Sequence, residues 1–202
     1  MARNSRYCTP YTRRKEAKTD YGARRALILS GRARVAIRSS LKNVIAQIVT
    51  AKPEGDKILI SAHSRELARK YGWKASRGNL PTAYLTGLLC GLKARSHGLE
   101  EAIPDIGLNS PSKGSRVFAV LKGLLDAGVS VPIDEKKLPI EKRLNGEHIV
   151  QYARSFSSNA DEYQKKFSKY VEQGVHPEDL AERFAETKKE ILVAFKNGGK
   201  KK

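Results

Sequence analysis

The sequence predicts an α/β domain in which an antiparallel or mixed sheet of about four strands packs against two main helices. Three observations support this prediction: period-two alternation in segments between residues 33 and 61, apolar stripes at helical spacing between residues 80 and 127, and a strongly basic first fifth of the chain. We divide the chain into a basic N-terminal arm over residues 1–26, an α/β core over 27–131 and a helical C-terminal extension with a basic tail over 132–202.

The composition is that of a folded protein with a large excess of positive charge. Of the 202 residues, 40% are hydrophobic and 30% are charged, which does not match a disordered or fibrous chain. The chain has 39 Lys and Arg against 21 Asp and Glu, a formal net charge of +18, and such an excess attracts polyanions. The longest apolar stretch, residues 83–92, is too short to cross a bilayer, and the N-terminus has no apolar signal core. We therefore expect a cytoplasmic protein with no membrane partner.

The predicted first strand has positive charge on one face. Alternation over residues 33–38 places the β-branched residues on the apolar face and both Arg34 and Arg38 on the opposite face, toward solvent. A short polar connection leads to a second strand over residues 44–49. The pair therefore reads as a β-hairpin with Lys42 at its tip.

The other elements follow from turn residues and helical periodicity. They are, in order, a third strand over 57–61, a short helix over 64–71, the main core helix from Pro81 to Gly98, a fourth strand over 102–108, a helix over 115–127 and, beyond Pro132 and Pro139, amphipathic helices of which the last begins at Pro177. Gly87 and Gly91 predict close packing of the main helix against the sheet. We expect the charge-balanced C-terminal helices to pack on the core or on a neighbouring protein.

The N-terminal arm combines basic residues with tyrosine. The first 43 residues hold twelve basic and two acidic side chains, and no apolar period is visible before Asp20. Arginine neutralises phosphates and tyrosine stacks on unpaired bases, so this composition favours RNA with loops and bulges. A merely solvated basic tail is the alternative, whereas a membrane-binding segment would need an apolar stripe that the arm lacks.

The candidate RNA-binding residues come from the arm, the hairpin and the loop before the helix over 115–127. In the arm they are Arg3, Arg6, Tyr7, Tyr11, Arg13, Arg14, Lys15, Lys18, Tyr21, Arg24 and Arg25. In the core they are Arg32, Arg34, Arg38, Lys42, Asn43, Gln47, Asn109, Ser110 and Lys113. We expect the basic members to neutralise phosphates, the tyrosines to stack or pack, and the uncharged polar members to hydrogen-bond to sugars or base edges.

The sequence offers no constellation for catalysis or metal binding. The loop over residues 107–115 joins a strand to a helix, but Lys113 precedes Gly114, which is the wrong order for a nucleotide P-loop. The helix that follows could hold one backbone phosphate at its N-terminus, and ordinary capping by Ser115 explains the loop equally well. The four histidines are scattered, and Asp105 alone on its strand predicts a turn cap or a pair with Lys or Arg rather than nuclease chemistry. We therefore expect no enzyme, no cofactor, no metal and no small-molecule substrate.

Several blocks of the sequence occur together in a known family. They are Thr19–Tyr21 with Arg24, Arg25 and Leu27; Arg34–Ser39 with Lys42, Asn43 and Ala46–Ile48; Gly78–Leu89; and Asp105–Leu108 with Gly114–Phe118 and Asp126–Gly128. In this order, over about residues 13–132, they resemble the large-subunit ribosomal protein eighteen family, and its archaeal and eukaryotic branch in particular.

This resemblance implies a structural role without catalysis. The implied partners are 5S rRNA, the large-subunit rRNA and neighbouring large-subunit ribosomal proteins, in the central protuberance of the ribosome. The family usually has Asn and His beside the hairpin lysine, where this chain has Leu41 and Asn43. Two other functions stay open: an RNA-processing enzyme, which would need a carboxylate cluster on the sheet, and a regulatory RNA-binding protein acting outside the ribosome.

Overall fold

A computed structural model describes residues 8–10, 12–156, 159–172 and 174–198. Its elements, in chain order, are α1 (Thr12–Lys15), α2 (Tyr21–Leu29), β1 (Arg34–Ser39), β2 (Val44–Thr50), β3 (Lys57–His63), α3 (Ser64–Lys70), α4 (Leu80–Ser96), β4 (Ile103–Asp105), α5 (Arg116–Asp126), α6 (Glu141–Leu144), α7 (Glu147–Ser155), α8 (Ala160–Glu172) and α9 (Leu180–Gly198). Single 3₁₀ turns at Glu135–Lys137 and Pro177–Asp179 precede α6 and α9. None of the helices in the described ranges is long and apolar enough to cross a membrane.

The four strands form one mixed sheet in the order β3-β2-β1-β4. Strands β1, β2 and β3 pair antiparallel as a meander, and β4 pairs parallel to β1 with Val35 opposite Pro104. The predicted fold class is therefore confirmed, including its helical C-terminal extension. The fourth strand is shorter than the predicted 102–108, because Gly107 has a left-handed φ of 59° and its N–H donates to the Asp105 carboxylate at 3.1 Å. The chain turns away from the sheet there.

Helix α4 forms the centre of the core. Asn79 caps it by accepting a hydrogen bond from Thr82 N at 3.0 Å, Pro81 occupies its first turn, and Gly98, with φ of 73°, ends it as predicted. Most of its residues are buried, since the apolar face of the sheet covers one side and α5 covers another. Leu88, for example, is 1% exposed.

The two glycines of α4 pack against α5, and the prediction that they pack against the sheet is wrong. A Cβ added at Gly87 would overlap the backbone carbonyl of Val120, and one added at Gly91 would lie 2.5 Å from the Cβ of Ala127. Gly123 of α5 makes the reciprocal approach, where a Cβ would overlap the Tyr84 carbonyl. The absence of side chains at these positions lets the two helix backbones come into direct contact.

The C-terminal helices pack on the core. Leu180, Phe184 and Ile191 of α9 are buried, and the Phe184 ring lies 5.6 Å from the ring of Tyr84 on α4. Of the two predicted alternatives, packing on the core and packing on a neighbouring protein, α9 therefore follows the first. Val171 of α8, in contrast, is half-exposed at 47%.

Candidate nucleic-acid interface

Helix α2 and the sheet form the walls of a groove with a cationic rim. The groove, called the arm groove below, is lined by α2, β1, β4 and residues 106–109. Four cations, called the rim cations, line it: Arg13, Lys18, Arg24 and Arg38. Two carboxylates, Asp20 and Asp105, also line it, and its apolar lining residues are Ala23, Ala26, Leu27, Ala36, Ile37, Pro104, Ile106 and Leu108. A rim of this charge attracts phosphates, and an apolar floor accepts sugars or unstacked bases.

Local hydrogen bonds, rather than apolar packing, hold the described part of the arm. Asp20 caps α2 by accepting hydrogen bonds from Gly22 N at 2.9 Å and Ala23 N at 3.1 Å. The Arg13 guanidinium donates to Thr19 Oγ1 at 3.0 Å, which holds α1 near the start of α2. No residue of α1 or α2 is buried. The predicted boundary at residue 26 falls inside α2, whose formation depends on its cap and not on an apolar stripe.

A chain of ion pairs joins α2 to the sheet. The Arg24 guanidinium forms two parallel hydrogen bonds to the Asp56 carboxylate, both 2.8 Å long. Asp56 Oδ1 also lies 2.9 Å from Arg34 Nη2, in ion-pair distance without hydrogen-bond alignment, and Arg34 Nη1 donates to Asp105 Oδ2 at 2.7 Å. Asp56 therefore bridges the two guanidinium groups, Arg34 pairs in addition with Asp105, and Arg24 is the residue that links α2 to the sheet.

The position of Arg34 corrects the sequence analysis. Its side chain is 1% exposed, so the guanidinium does not reach solvent or a phosphate, although β1 alternates as predicted. Burial of an arginine requires carboxylate partners, and Asp105 and Asp56 provide them from β4 and from the turn before β3. The prediction that Asp105 pairs with a basic residue or caps a turn is confirmed in both respects.

The environment of Asp56 favours its charged form. Burial alone acts to raise the pKa of this carboxyl, but the hydrogen bonds from Arg24 and the charge of Arg34 outweigh it, so the pKa is lowered from its ordinary value of 3.8. Asp56 therefore stays ionised through neutral and mildly acidic pH, and the link between α2 and the sheet persists there.

Most of the predicted cations in the described residues are exposed, and three of these, Arg13, Lys18 and Arg38, line the arm groove. Arg13, Arg14, Lys15, Lys18, Arg25, Arg32, Arg38, Lys42 and Lys113 are exposed, as are Tyr21 and Ser110, while Arg24 is half-buried in its ion pair. Lys18 also forms an exposed ion pair with Glu16 at 2.7 Å. Arg3, Arg6, Tyr7 and Tyr11 lie outside the described residues. The structure thus brings together arm and strand cations that are far apart in the sequence.

Three uncharged polar residues that are predicted to contact RNA form hydrogen bonds within the protein. Asn43 closes the hairpin turn, because its N–H donates to Ser40 Oγ at 2.9 Å and its carbonyl accepts from Ser40 N at 2.8 Å. The Gln47 amide donates to Ser61 Oγ at 3.4 Å. Asn109 donates to the Ile106 carbonyl at 2.7 Å, and this bond shapes the loop that follows β4. Their roles toward RNA stay predictions.

The N-terminus of α5 lacks the side-chain cap that the sequence suggested. Ser115 occupies the capping position, but it makes no side-chain cap hydrogen bond, and its hydroxyl oxygen is buried without a hydrogen-bond partner in the described structure. Gly114, with φ of 69°, turns the chain and donates to the Lys137 carbonyl at 3.0 Å. Ordinary capping by Ser115 therefore does not explain this loop.

Two residues of the interface were missed by sequence reasoning. Arg116 donates to the Ser40 carbonyl at 2.8 Å and to the Gly78 carbonyl at 3.0 Å, so it holds the hairpin tip against the loop before α4. Asp56 reads as a turn residue in the sequence, and only the strand register places it beside Arg34. The charge at these positions was visible, but no local pattern identifies partners so distant in the chain.

The fold and this surface define a basic α/β protein built to contact a polyanion. Residues 5–101, about half of the chain, match the model of a family described as ribosomal large subunit proteins 60S L5, and 50S L18. This match confirms the resemblance of the sequence to large-subunit ribosomal proteins. The family implies a structural role in the large ribosomal subunit, with ribosomal RNA and ribosomal proteins as partners. The blocks quoted for residues 105–128 lie beyond the match.

The described residues contain no group of three or more His, Cys, Asp and Glu side chains that could hold a metal ion. Cys90 is buried, and burial raises the pKa of its thiol to about 12, so it is a packed side chain and not a nucleophile at neutral pH. The geometry favours binding through charge and shape.

Proposed function

We propose that this chain binds 5S rRNA and ties it to the large-subunit rRNA in the central protuberance, as a non-catalytic constituent of the ribosome. The observation that supports this most is the arm groove, where cations from α1, α2 and β1 surround an apolar floor. The match to the family supports a role in the large subunit, and the resemblance of the sequence to one branch of that family favours 5S rRNA as the ligand.

Binding through this surface depends on salt in a measurable way. Each phosphate contact releases counterions, so about six contacts give a slope of roughly −4 to −5 in a plot of log affinity against log salt concentration. The exposed cations of the arm and β1 supply that number. The half-buried polar groups of the groove then add selectivity for an RNA whose loops and bulges fit it.

The test compares two variants that lose the same charge. One changes Arg13, Lys18 and Arg38 to Gln at the rim of the arm groove, and the other changes Lys165, Lys169 and Lys189 to Gln on exposed positions of α8 and α9. Binding of the full chain to 5S rRNA and to a tRNA competitor is measured over a salt series. We expect the groove variant to lose its preference for 5S rRNA and to show a slope smaller by about 2 to 3, while the control keeps both.

Two outcomes would contradict the proposal. Equal binding of the parent to 5S rRNA and tRNA at every salt concentration would reduce the interaction to nonspecific attraction. The second outcome is that a high-salt wash releases the chain from large subunits while the chain stays bound to a different RNA. This would favour a regulatory protein that acts outside the ribosome.

A further inference from the structure

We propose that a second cationic surface, on the side of the hairpin tip away from the arm groove, binds a separate RNA segment through its phosphates. Its members come from α3 and the loop after it, and we call it the tip surface. They are Arg65, Arg69, Lys70, Lys74 and Arg77. None of these residues lines the arm groove. The inference rests on the proposed function in one respect: the first RNA, 5S rRNA, is assigned to the arm groove.

The charge of the tip surface is not compensated within the described structure. Glu66 is the one acidic residue between residues 57 and 99, and it is occupied, since its carboxylate accepts from Lys93 Nζ at 2.7 Å and from His63 N at 3.2 Å. No member of the tip surface forms an ion pair with another described residue. Four members are exposed and Arg77 is half-buried. Such a surface has free charge for an external anion.

Cations from the helix and from the loop converge at one place. His63, at the junction of β3 and α3, has a pKa lowered first by burial and then by the positive charge of Arg65; Glu66 opposes this lowering, and Arg77 and Arg69 add smaller effects that lower the pKa. Its Nδ1 accepts a hydrogen bond from Arg65 N at 2.9 Å, so the imidazole caps α3 in its neutral form. Ala68 of α3 lines one hollow together with Lys74 and Arg77 of the loop, so the loop cations lie against the helix that carries Arg65 and Arg69.

The loop of the tip surface is held firmly by contacts with the core and the hairpin. Trp73 is 2% exposed, and its indole N–H donates to the Ser76 carbonyl at 3.4 Å. A Cβ at Gly78 would overlap the carbonyl of Leu41, so the loop lies directly against the hairpin tip, and Arg116 bonds both segments. A surface that is already ordered loses little conformational entropy on binding.

The chemistry of the tip surface favours a phosphate backbone over an acidic protein segment. Protein interfaces bury aromatic and aliphatic anchors, but Leu67 of α3 and Trp73 of the loop are already buried in the core, and the exposed Leu41 belongs to the adjacent hairpin tip. A shallow hollow beside them is lined by Ala68, Lys74, Ala75 and Arg77. Phosphate contacts need cations at intervals and no apolar anchor. Ribosomal RNA is also the partner that the family implies.

The experiment asks whether the chain holds two RNAs at once. The full chain is saturated with 5S rRNA, and binding of a labelled RNA hairpin of unrelated sequence is measured over a salt series. The tip variant changes Arg65, Arg69 and Lys74 to Gln, all exposed positions, and the matched control changes Lys165, Lys169 and Lys189 to Gln. Circular dichroism verifies that both variants are folded.

We expect a ternary complex with the parent and the control. The tip variant should keep its affinity for 5S rRNA but bind the hairpin with a salt slope smaller by about 2 to 3. Equal binding of the hairpin by the tip variant and the control would overturn the inference. So would displacement of the hairpin by polyglutamate as effectively as by unlabelled RNA of equal charge, since that would indicate an acidic protein partner.

Failure of the proposed function would be seen separately. It would show as loss of the preference for 5S rRNA over tRNA in the parent chain. The tip surface would then be judged by the same hairpin titration of the parent, the tip variant and the control without 5S rRNA, where a smaller slope in the tip variant alone supports it and equal slopes overturn it.

Discussion

Two helices of this protein contact the rest of the chain by opposite means. Helix α4 is buried and packs backbone to backbone on α5 through Gly87, Gly91 and Gly123. Helix α2 has no buried residue and is joined to the sheet by the ion pair between Arg24 and Asp56. The contact between α4 and α5 is apolar and has no room for a methyl group. The contact between α2 and the sheet consists of charged groups that water can reach.

The difference separates folding from binding. Burial of apolar surface supplies most of the free energy of folding, and this protein concentrates it between the sheet, α4 and α5. The cations that predict RNA contact lie where packing is sparse, so their loss changes the fold little. Arg34 is the exception, because this cation of β1 is buried and therefore contributes to folding.

The largest effect is expected at the contact of α4 with α5. Gly87→Val should lower the free energy of unfolding by more than about 4 kcal/mol or prevent folding, because the added side chain overlaps the Val120 backbone. Gly72→Ala is the control. Its φ of 60° is strained for alanine but no atom lies near, so the loss should be about 1–2 kcal/mol. Urea unfolding measures both, and equal losses would contradict the close approach.

The two arginines of β1 should respond differently to the same change. Arg34→Ala leaves Asp56 and Asp105 without their buried partner, and we expect a loss of about 2–3 kcal/mol, below the range for fully buried pairs because both carboxylates are partly exposed. Arg38→Ala should change stability by less than about 0.5 kcal/mol and reduce the salt slope of RNA binding by about 1. The comparison is made by urea unfolding and by RNA titration. If the Arg34→Ala variant were as stable as the parent and bound RNA weakly, Arg34 would be a residue of the binding surface and not a structural one.

Acid should weaken the link between α2 and the sheet. The pKa of Asp56 is lower in the folded chain than its ordinary 3.8, so its charge stabilises the fold above that value, and the contribution is lost as pH falls through the folded pKa. Asp56→Asn should therefore be less stable than the parent at neutral pH, and the difference should shrink below about pH 4. Thermal melts from neutral to acidic pH test this, and a difference independent of pH would assign the effect to packing instead.

The smallest effect is expected at the cap of α2. Asp20→Ala removes the acceptor for Gly22 N and Ala23 N, which should cost the helix about 1 kcal/mol. Because α2 has no buried residue, the loss should appear as faster hydrogen exchange of those two amides and not in global unfolding. If α2 must be ordered to bind RNA, the affinity for 5S rRNA falls by no more than about fivefold. A fall in global stability would show that α2 is part of the core.

Much of the fold could be predicted from local patterns. The hairpin of β1 and β2, the third strand, the start of α4 near Pro81 and its end at Gly98 depend on residues close together in the chain, and the structure confirms each. Alternation and turn residues report on the conformation of their own segment, and they do so whatever lies across the fold.

The errors have a common cause in contacts between distant segments. Alternation placed Arg34 on the face opposite the core, which holds for the strand, but solvent does not reach that face because Asp105, 71 positions away, and Asp56 cover the guanidinium. Gly87 marked a close approach correctly, yet only the docking of α5 shows which element approaches.

The class of fold, the basic arm, the excess charge and the family resemblance can be predicted without coordinates, because periodicity, composition and motif order are properties of the linear chain. Which cations stay exposed depends on how the folded elements pack. Arg38 is exposed and Arg34 is buried four residues earlier on the same face of the same strand. An ion pair forms where the fold brings opposite charges within a few ångströms, and that distance depends on the packing of the whole domain.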